Sequence, residues 1–231
     1  MYSNRRAQFM SRPRMTRAKK GKASARRAPR KGYSRARREA EILDAAFSEF
    51  AANGYAATRL EDVARRAGVA KGLPSFYFER KEDLFRAVIR RVLLPLWIDL
   101  SEAVSPVDGS TRDLLRATLS AMYRGLVANE RAREAMRLLI AEGPRFPELT
   151  EYYYSEVVER NIAIWHRLVS RGISRGEFRE GPVARYPHIV FGPALQASIW
   201  QLLFGHRHGL DLESWIESHV DLVLNGLDRI E

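Results

Sequence analysis

Apolar residues recur along most of this chain at helical spacing, and no convincing run alternates as a half-buried strand would. The pattern begins near Arg37. Ile42, Ala46 and Phe50 stack at i, i+4 and i+8, with Leu43 and Phe47 on the adjoining row, which predicts a first helix ended at Gly54. Thr58-x-x-Glu61 has the form of a capping box and predicts a second helix beginning at Thr58. Gly68 breaks it, and a short third helix is expected from about Lys71 to Phe78. A fourth begins near Lys81 and runs through Leu84, Val88 and Val92 to about Leu94, where Pro95 kinks or ends it. Further amphipathic helices are expected over about 111–128, 131–142, 147–175, 186–204 and 212–228. Ser110 is placed to cap the first of these, and Glu142-Gly143-Pro144 separates the second from the third.

The expected fold is therefore all-α. A three-helix unit over residues 37–92 contains a helix-turn-helix, and a larger helical bundle follows over 93–231. Two short helices crossed at a glycine turn can place the second in a DNA major groove. A DNA-binding regulator is the first reading, and an enzyme is not expected. No triad order, paired-carboxylate arrangement or phosphate-cradling glycine loop emerges.

Charge sharpens this picture because it is unevenly placed. Of 39 Lys and Arg against 28 Asp and Glu, 15 cations fall within the first 38 residues, which hold no acidic residue. The remainder carries 24 cations against 28 anions, so an arm over residues 1–36 supplies the whole net charge of +11. Pro13, Gly21, Pro29 and Gly32 with many Arg and little apolar pattern predict disorder there. Such an arm seeks polyanions, nucleic acid first and anionic membrane second. It would add phosphate contacts or enter the minor groove beside a major-groove reader. A solvated tail, an organellar transit peptide, and a true start at Met10 or Met15 are the other readings.

The chain has no cysteine, which excludes disulfides, thiolate zinc sites and a cysteine nucleophile. No apolar run suits a membrane span: the longest uncharged stretch, Tyr186–Gly205, contains His188, Pro193, Gln196 and Gln201. A cytoplasmic protein of the bacterial nucleoid is expected. His206-Arg207-His208 with Asp211 reads as a solvated polar loop, not a metal site, and no cofactor is expected.

A more specific resemblance rests on Ile42-Leu43-Asp44-Ala45-Ala46, Phe50-Ala51, Gly54-Tyr55, Thr58, Asp62-Val63-Ala64, Ala67-Gly68-Val69, Lys71-Gly72, Tyr77-Phe78 and Lys81-Glu82-x-Leu84-Phe85. These residues resemble the N-terminal signature of TetR-family transcriptional regulators. The resemblance covers about residues 38–92; beyond them only the helical layout is similar. It implies a homodimer that binds a palindromic operator in double-stranded DNA, usually represses, and is loosened by a small molecule in the C-terminal bundle. It also implies that Thr58, Arg59 and Lys81 meet phosphates, and that Lys71, Gly72, Leu73, Ser75, Phe76 and Tyr77 face the groove. The chemistry suits those roles: glycine admits close backbone approach, aromatic edges pack on thymine methyls, and lysines neutralise phosphate.

The reading surface departs from the family pattern. Ala70 stands where a capping Ser or Thr is usual, so a capping bond of roughly 1 kcal/mol is missing. Pro74 occupies a usual Leu or Ile site, Leu73 a usual polar one and Ser75 a usual aromatic one, which together predict an unusual operator. Phe78 is expected in the core with Leu60 and Val63, and Tyr77 toward DNA.

In the bundle, Trp97, Met122, Tyr123, Met136 and Trp165 are the candidate lining of a pocket for an apolar or aromatic effector. By family layout the last two long helices form the dimer interface, where Gly192, Ala194, Ala197 and Ser198 would allow close approach. The competing reading is a nucleoid-associated or structural DNA-binding protein on the same scaffold, whose bundle binds a protein partner.

Overall fold

In the computed structural model of the chain, the described residues are 35–103 and 109–227. The basic arm over residues 1–36 thus lies almost entirely outside them. No strand occurs among the described residues, in keeping with the helical spacing of the sequence.

Helix α1 spans Arg35–Ala57 and leaves helical geometry at Gly54 (φ 76°, ψ 168°), a left-handed value that favours glycine. Helices α2 (Leu60–Arg66) and α3 (Leu73–Tyr77) flank a turn in which Gly68 has φ 64°. Helix α3 is shorter than its expected span and has Gly72 as N-cap with no side-chain cap bond, as the Ala70 departure foretold. Pro74 sits in its first turn, where a missing amide costs least.

Helix α4 runs Lys81–Ala103 and continues through Pro95, where the sequence predicted a kink or an end. Buried Leu93 and Leu94 anchor it just before the proline, and helices on both sides pack along its length. Tertiary packing here outweighs one lost amide.

The bundle continues with α5 (Thr111–Met122), α6 (Glu130–Glu142), α7 (Pro147–Tyr153), α8 (Glu159–Ser174), α9 (Gly192–Phe204) and α10 (Leu212–Leu227). Ser110 caps α5 as expected, accepting from the Asp113 amide at 3.2 Å. Two expected long helices are interrupted by π-type turns, at Tyr123–Val127 and Tyr154–Val158. The expected helix over 186–204 opens instead as a 3₁₀ turn, Pro187–Phe191, before α9. Pro187 and Pro193 each lie in a first turn, the position where a ring that lacks an N–H fits best.

Two apolar cores result. The first joins Ile42, Phe47 and Phe50 of α1, Val63, Phe78, and Leu84, Phe85, Val88 and Ile89 of α4 to Ala135, Leu138 and Leu139 of α6. Phe78 is therefore core, packed with Val63 and partly buried Leu60, as expected. Phe50, Tyr55, Phe85 and Phe146 pack at 4.7–5.8 Å between centroids. The second core joins Leu115, Leu119, Met122 and Tyr123 to Ile164, Trp165 and Leu168 of α8, Ala194 and Ala197 of α9 and Val220 of α10.

Candidate nucleic-acid interface and effector bundle

The short α3 is held from behind and open in front. Pro74 and Phe78 are buried, and Leu73 and Tyr77 are half-buried against the first core. Lys71, Gly72, Ser75 and Phe76 are exposed, and Phe76 is 75% exposed with its ring 5.7 Å from that of Tyr77. Gly72 has φ −83°, and a Cβ there would meet nothing within 4 Å. Neither backbone conformation nor packing inside the protein requires a glycine at this position. Lys71 pairs with Glu61 at 2.8 Å across the turn, and Arg59 is exposed beside the start of α2. Arg35 lies 5.8 Å over the Tyr77 ring, a cation beside the reading surface that no local pattern announced.

Two expected phosphate ligands are committed elsewhere. Thr58 is 2% exposed, and its hydroxyl donates to the carbonyls of Gly54 (2.7 Å) and Glu49 (3.2 Å). It closes the end of α1, no capping box forms, and α2 starts at Leu60 with Arg59 as an uncapped N-cap. Lys81 donates to the carbonyls of Tyr55 (2.8 Å) and Ala56 (3.0 Å) and lies 4.5 Å over the Tyr55 ring. The last carbonyls of α1, which lack helical partners, take the ammonium that the family resemblance assigned to a phosphate. Burial lowers the Lys81 pKa, and Glu142 and Glu82 partly oppose that shift.

Helix α6 grips the DNA-binding unit through polar contacts. Glu142 Oε1 accepts from the Tyr55 amide at 2.9 Å, Arg137 donates to the Ala51 carbonyl at 2.9 Å, and Arg131 pairs with Asp44 at 2.8 Å. A Cβ on Gly54 would lie 2.5 Å from that Glu142 oxygen, so a larger residue there would push the carboxylate off the Tyr55 amide as well as strain the backbone.

In the bundle, Met122, Tyr123 and Trp165 are buried in the second core, whereas Met136 borders the first. The candidate lining residues are thus divided between two clusters. Trp97 lies on α4, and its side chain is outside those described. Tyr123 Oη lies 2.9 Å from His219 Nδ1 and accepts from Trp215 Nε1 at 2.9 Å. Burial pushes the Tyr123 hydroxyl up to about 12, the Trp215 bond working against it, and lowers the His219 pKa.

The small residues expected at the dimer interface are placed otherwise. Ala194, Ala197 and Ser198 are buried within the subunit, where they let α9 pack against the Tyr123–Val127 turn; only Gly192 is exposed. The opposite face of α9 exposes Ile199 and Leu203, Phe204 is exposed at the end of the helix, and Leu222 is exposed on α10.

Fold and surface together define a helix-turn-helix protein whose reading head shares its core with a larger helical bundle. Residues 42–88 match the model for bacterial regulatory proteins of the tetR family, and residues 106–223 match the tetracyclin repressor-like C-terminal domain. The chain belongs to the TetR family of transcriptional regulators. It is 27% identical over 156 residues to YfiR, an uncharacterized HTH-type transcriptional regulator of Bacillus subtilis, covering 62% of this chain and 69% of that protein. Among solved structures it superposes on a complex of SmeT with triclosan with TM-score 0.71 at 23% identity, over 83% of this chain and 92% of that one; SmeT is a repressor from Stenotrophomonas maltophilia. It also superposes on FadR of Bacillus subtilis in complex with stearoyl-CoA with TM-score 0.64 at 22% identity, over 81% and 98%. At these identities the two superpositions establish the fold.

Proposed function

We propose that this regulator is a homodimeric repressor that holds a palindromic operator through α3 of each subunit and releases it when a small apolar or aromatic molecule enters the C-terminal bundle. The observation that carries this reading is Phe76, a large ring left 75% exposed on a five-residue helix whose other faces are anchored. Ser75, Phe76 and the edge of Tyr77 read base edges, Gly72 lets the backbone approach, and Lys71, Arg59 and Arg35 neutralise phosphates. The residue 1–36 arm adds sequence-independent phosphate contacts. The protein acts on the nucleoid, in the cytoplasm.

Dimerisation uses the outward apolar ridge of Ile199 and Leu203 with Leu222, which is 59% exposed at Leu203 and 68% at Leu222. Side chains this large and apolar, left exposed on the last two helices, mark an association surface. The ligands in the SmeT and FadR complexes, triclosan and stearoyl-CoA, support an apolar effector.

Selection of bound duplexes from a random DNA pool tests the reading. The enriched sequences are expected to share an inverted repeat, and Phe76→Ala is expected to bind the selected duplex about tenfold more weakly. Enrichment without a shared motif would overturn sequence-specific repression. A Leu203→Glu, Leu222→Glu variant should run as a monomer, with operator affinity lost alongside.

A further inference from the structure

Helix α1 begins at Arg35, whose guanidinium lies 5.8 Å over the Tyr77 ring. That ring is in turn 5.7 Å from the ring of Phe76, the most exposed aromatic of α3. The body of the protein therefore starts beside its reading surface, and the chain that precedes Arg35 joins it there. With α3 in a major groove, the neighbouring minor groove lies about half a helical turn away, roughly 17 Å along a duplex axis that repeats every 34–36 Å or so. An extended chain covers at most about 3.5 Å per residue. About five residues before Arg35 suffice to reach that groove, and about ten to lie in it.

The sequence at that distance has a particular composition. Residues 22–32 read Lys-Ala-Ser-Ala-Arg-Arg-Ala-Pro-Arg-Lys-Gly. Every residue there that is not a cation is Ala, Ser, Pro or Gly, and none is acidic. The minor groove is about 6 Å wide, too narrow for a helix some 10 Å across. Pro29 and Gly32 both disfavour a helix, and the small spacers keep an extended chain slim. The cations nearest α1 are mainly Arg26, Arg27 and Arg30. A guanidinium is less strongly hydrated than an ammonium and so enters a groove at lower desolvation cost. Narrow A·T-rich minor grooves concentrate the negative potential that draws arginine in. A tail that only neutralised phosphates would need neither slim spacers nor arginine in place of lysine.

We infer that Arg26, Arg27, Arg30 and Lys31 enter the minor groove beside each half-site and favour A·T pairs there, so that the operator extends past the bases facing α3. This rests on the operator-binding reading above and gives the near part of the arm a sequence preference in addition to its phosphate contacts.

Selection from a random duplex pool by the full chain, and by a full-length variant carrying Arg26→Gln, Arg27→Gln, Arg30→Gln and Lys31→Gln, tests it. The parent is expected to enrich A·T pairs flanking the inverted repeat. The variant should keep the repeat and lose the flanks. On duplexes of fixed repeat, G·C flanks should weaken the parent about fivefold relative to A·T flanks, the low end of the cost of an unfavourable base pair. Inosine·cytosine flanks, which differ from G·C only by lacking the minor-groove amino group, should restore the tighter binding. The variant should bind all three duplexes equally. A parent indifferent to its flanks, a preference that survives in the variant, or inosine flanks no better than G·C would overturn the inference. The two readings fail separately. A repeat with indifferent flanks removes the minor-groove contact and leaves the operator. A·T tracts enriched without a repeat, and lost in the variant, do the reverse.

Discussion

The two cores of this molecule are similar in size and opposite in polar economy. Around the first, buried polar groups are paired: Glu49 accepts from Arg66 (2.5 Å) and Asn53 (2.8 Å), and Thr58 donates to two carbonyls. One nearby atom is unpartnered, Nε of Arg86, whose guanidinium lies 5.5 Å over the Tyr152 ring. Farther along the bundle, Asn161 and Trp165 of α8 and Ser198 of α9 carry buried atoms without a protein partner. The pairing around the first core follows from what that half must do. A reading head must present α3 in one geometry, which complete satisfaction enforces.

The largest test of this contrast strikes the satisfied side. Phe50→Ala empties the centre of the aromatic cluster and should cost about 3–5 kcal/mol in urea denaturation. Next is Lys81→Met, which removes both bonds to the end of α1 and should cost about 2 kcal/mol. Its operator binding should keep the parent's salt dependence; a slope flatter by about 0.9 would instead return Lys81 to the phosphate role.

His219 probes the other side through pH. Burial lowers its pKa, so the folded state resists a proton that the unfolded chain accepts below about 6.5. Stability tied to this residue is complete above that pH and declines as pH falls toward the folded value, by at most about 1.4 kcal/mol per unit. His219→Leu should flatten the decline by up to that slope between about pH 6.5 and 5.5, and an unchanged slope would mean that the imidazole is not held neutral. The smallest effect is expected on the reading surface, where Phe76→Ala should shift stability by less than about 0.5 kcal/mol while operator affinity falls.

Features governed by near neighbours were legible in the sequence. Gly54 and Gly68 announced their turns, Ser110 its cap, and Phe78 its burial through helical spacing. The departures from expectation share one physical origin. Thr58 had two chemically reasonable sets of partners, the amides ahead and the carbonyls behind, and only the packed end of α1 decides between them. Lys81 finds its acceptors 25 and 26 residues upstream, and His219 meets Tyr123 across 96 residues, separations at which spacing carries no signal. The small residues of α9 did permit close approach, but to a neighbour in the same subunit.

The grip of α6 on α1 bears on how such proteins are recombined. The reading head has no floor of its own: Ala135, Leu138 and Leu139 complete its apolar interior, and Glu142 holds the amide of Tyr55. A chimera that joined residues 37–92 to an unrelated sensor would expose that floor and strand the amide. The exchangeable unit is the head together with residues 131–142, and designers seeking new sensor–operator pairings should place the seam accordingly.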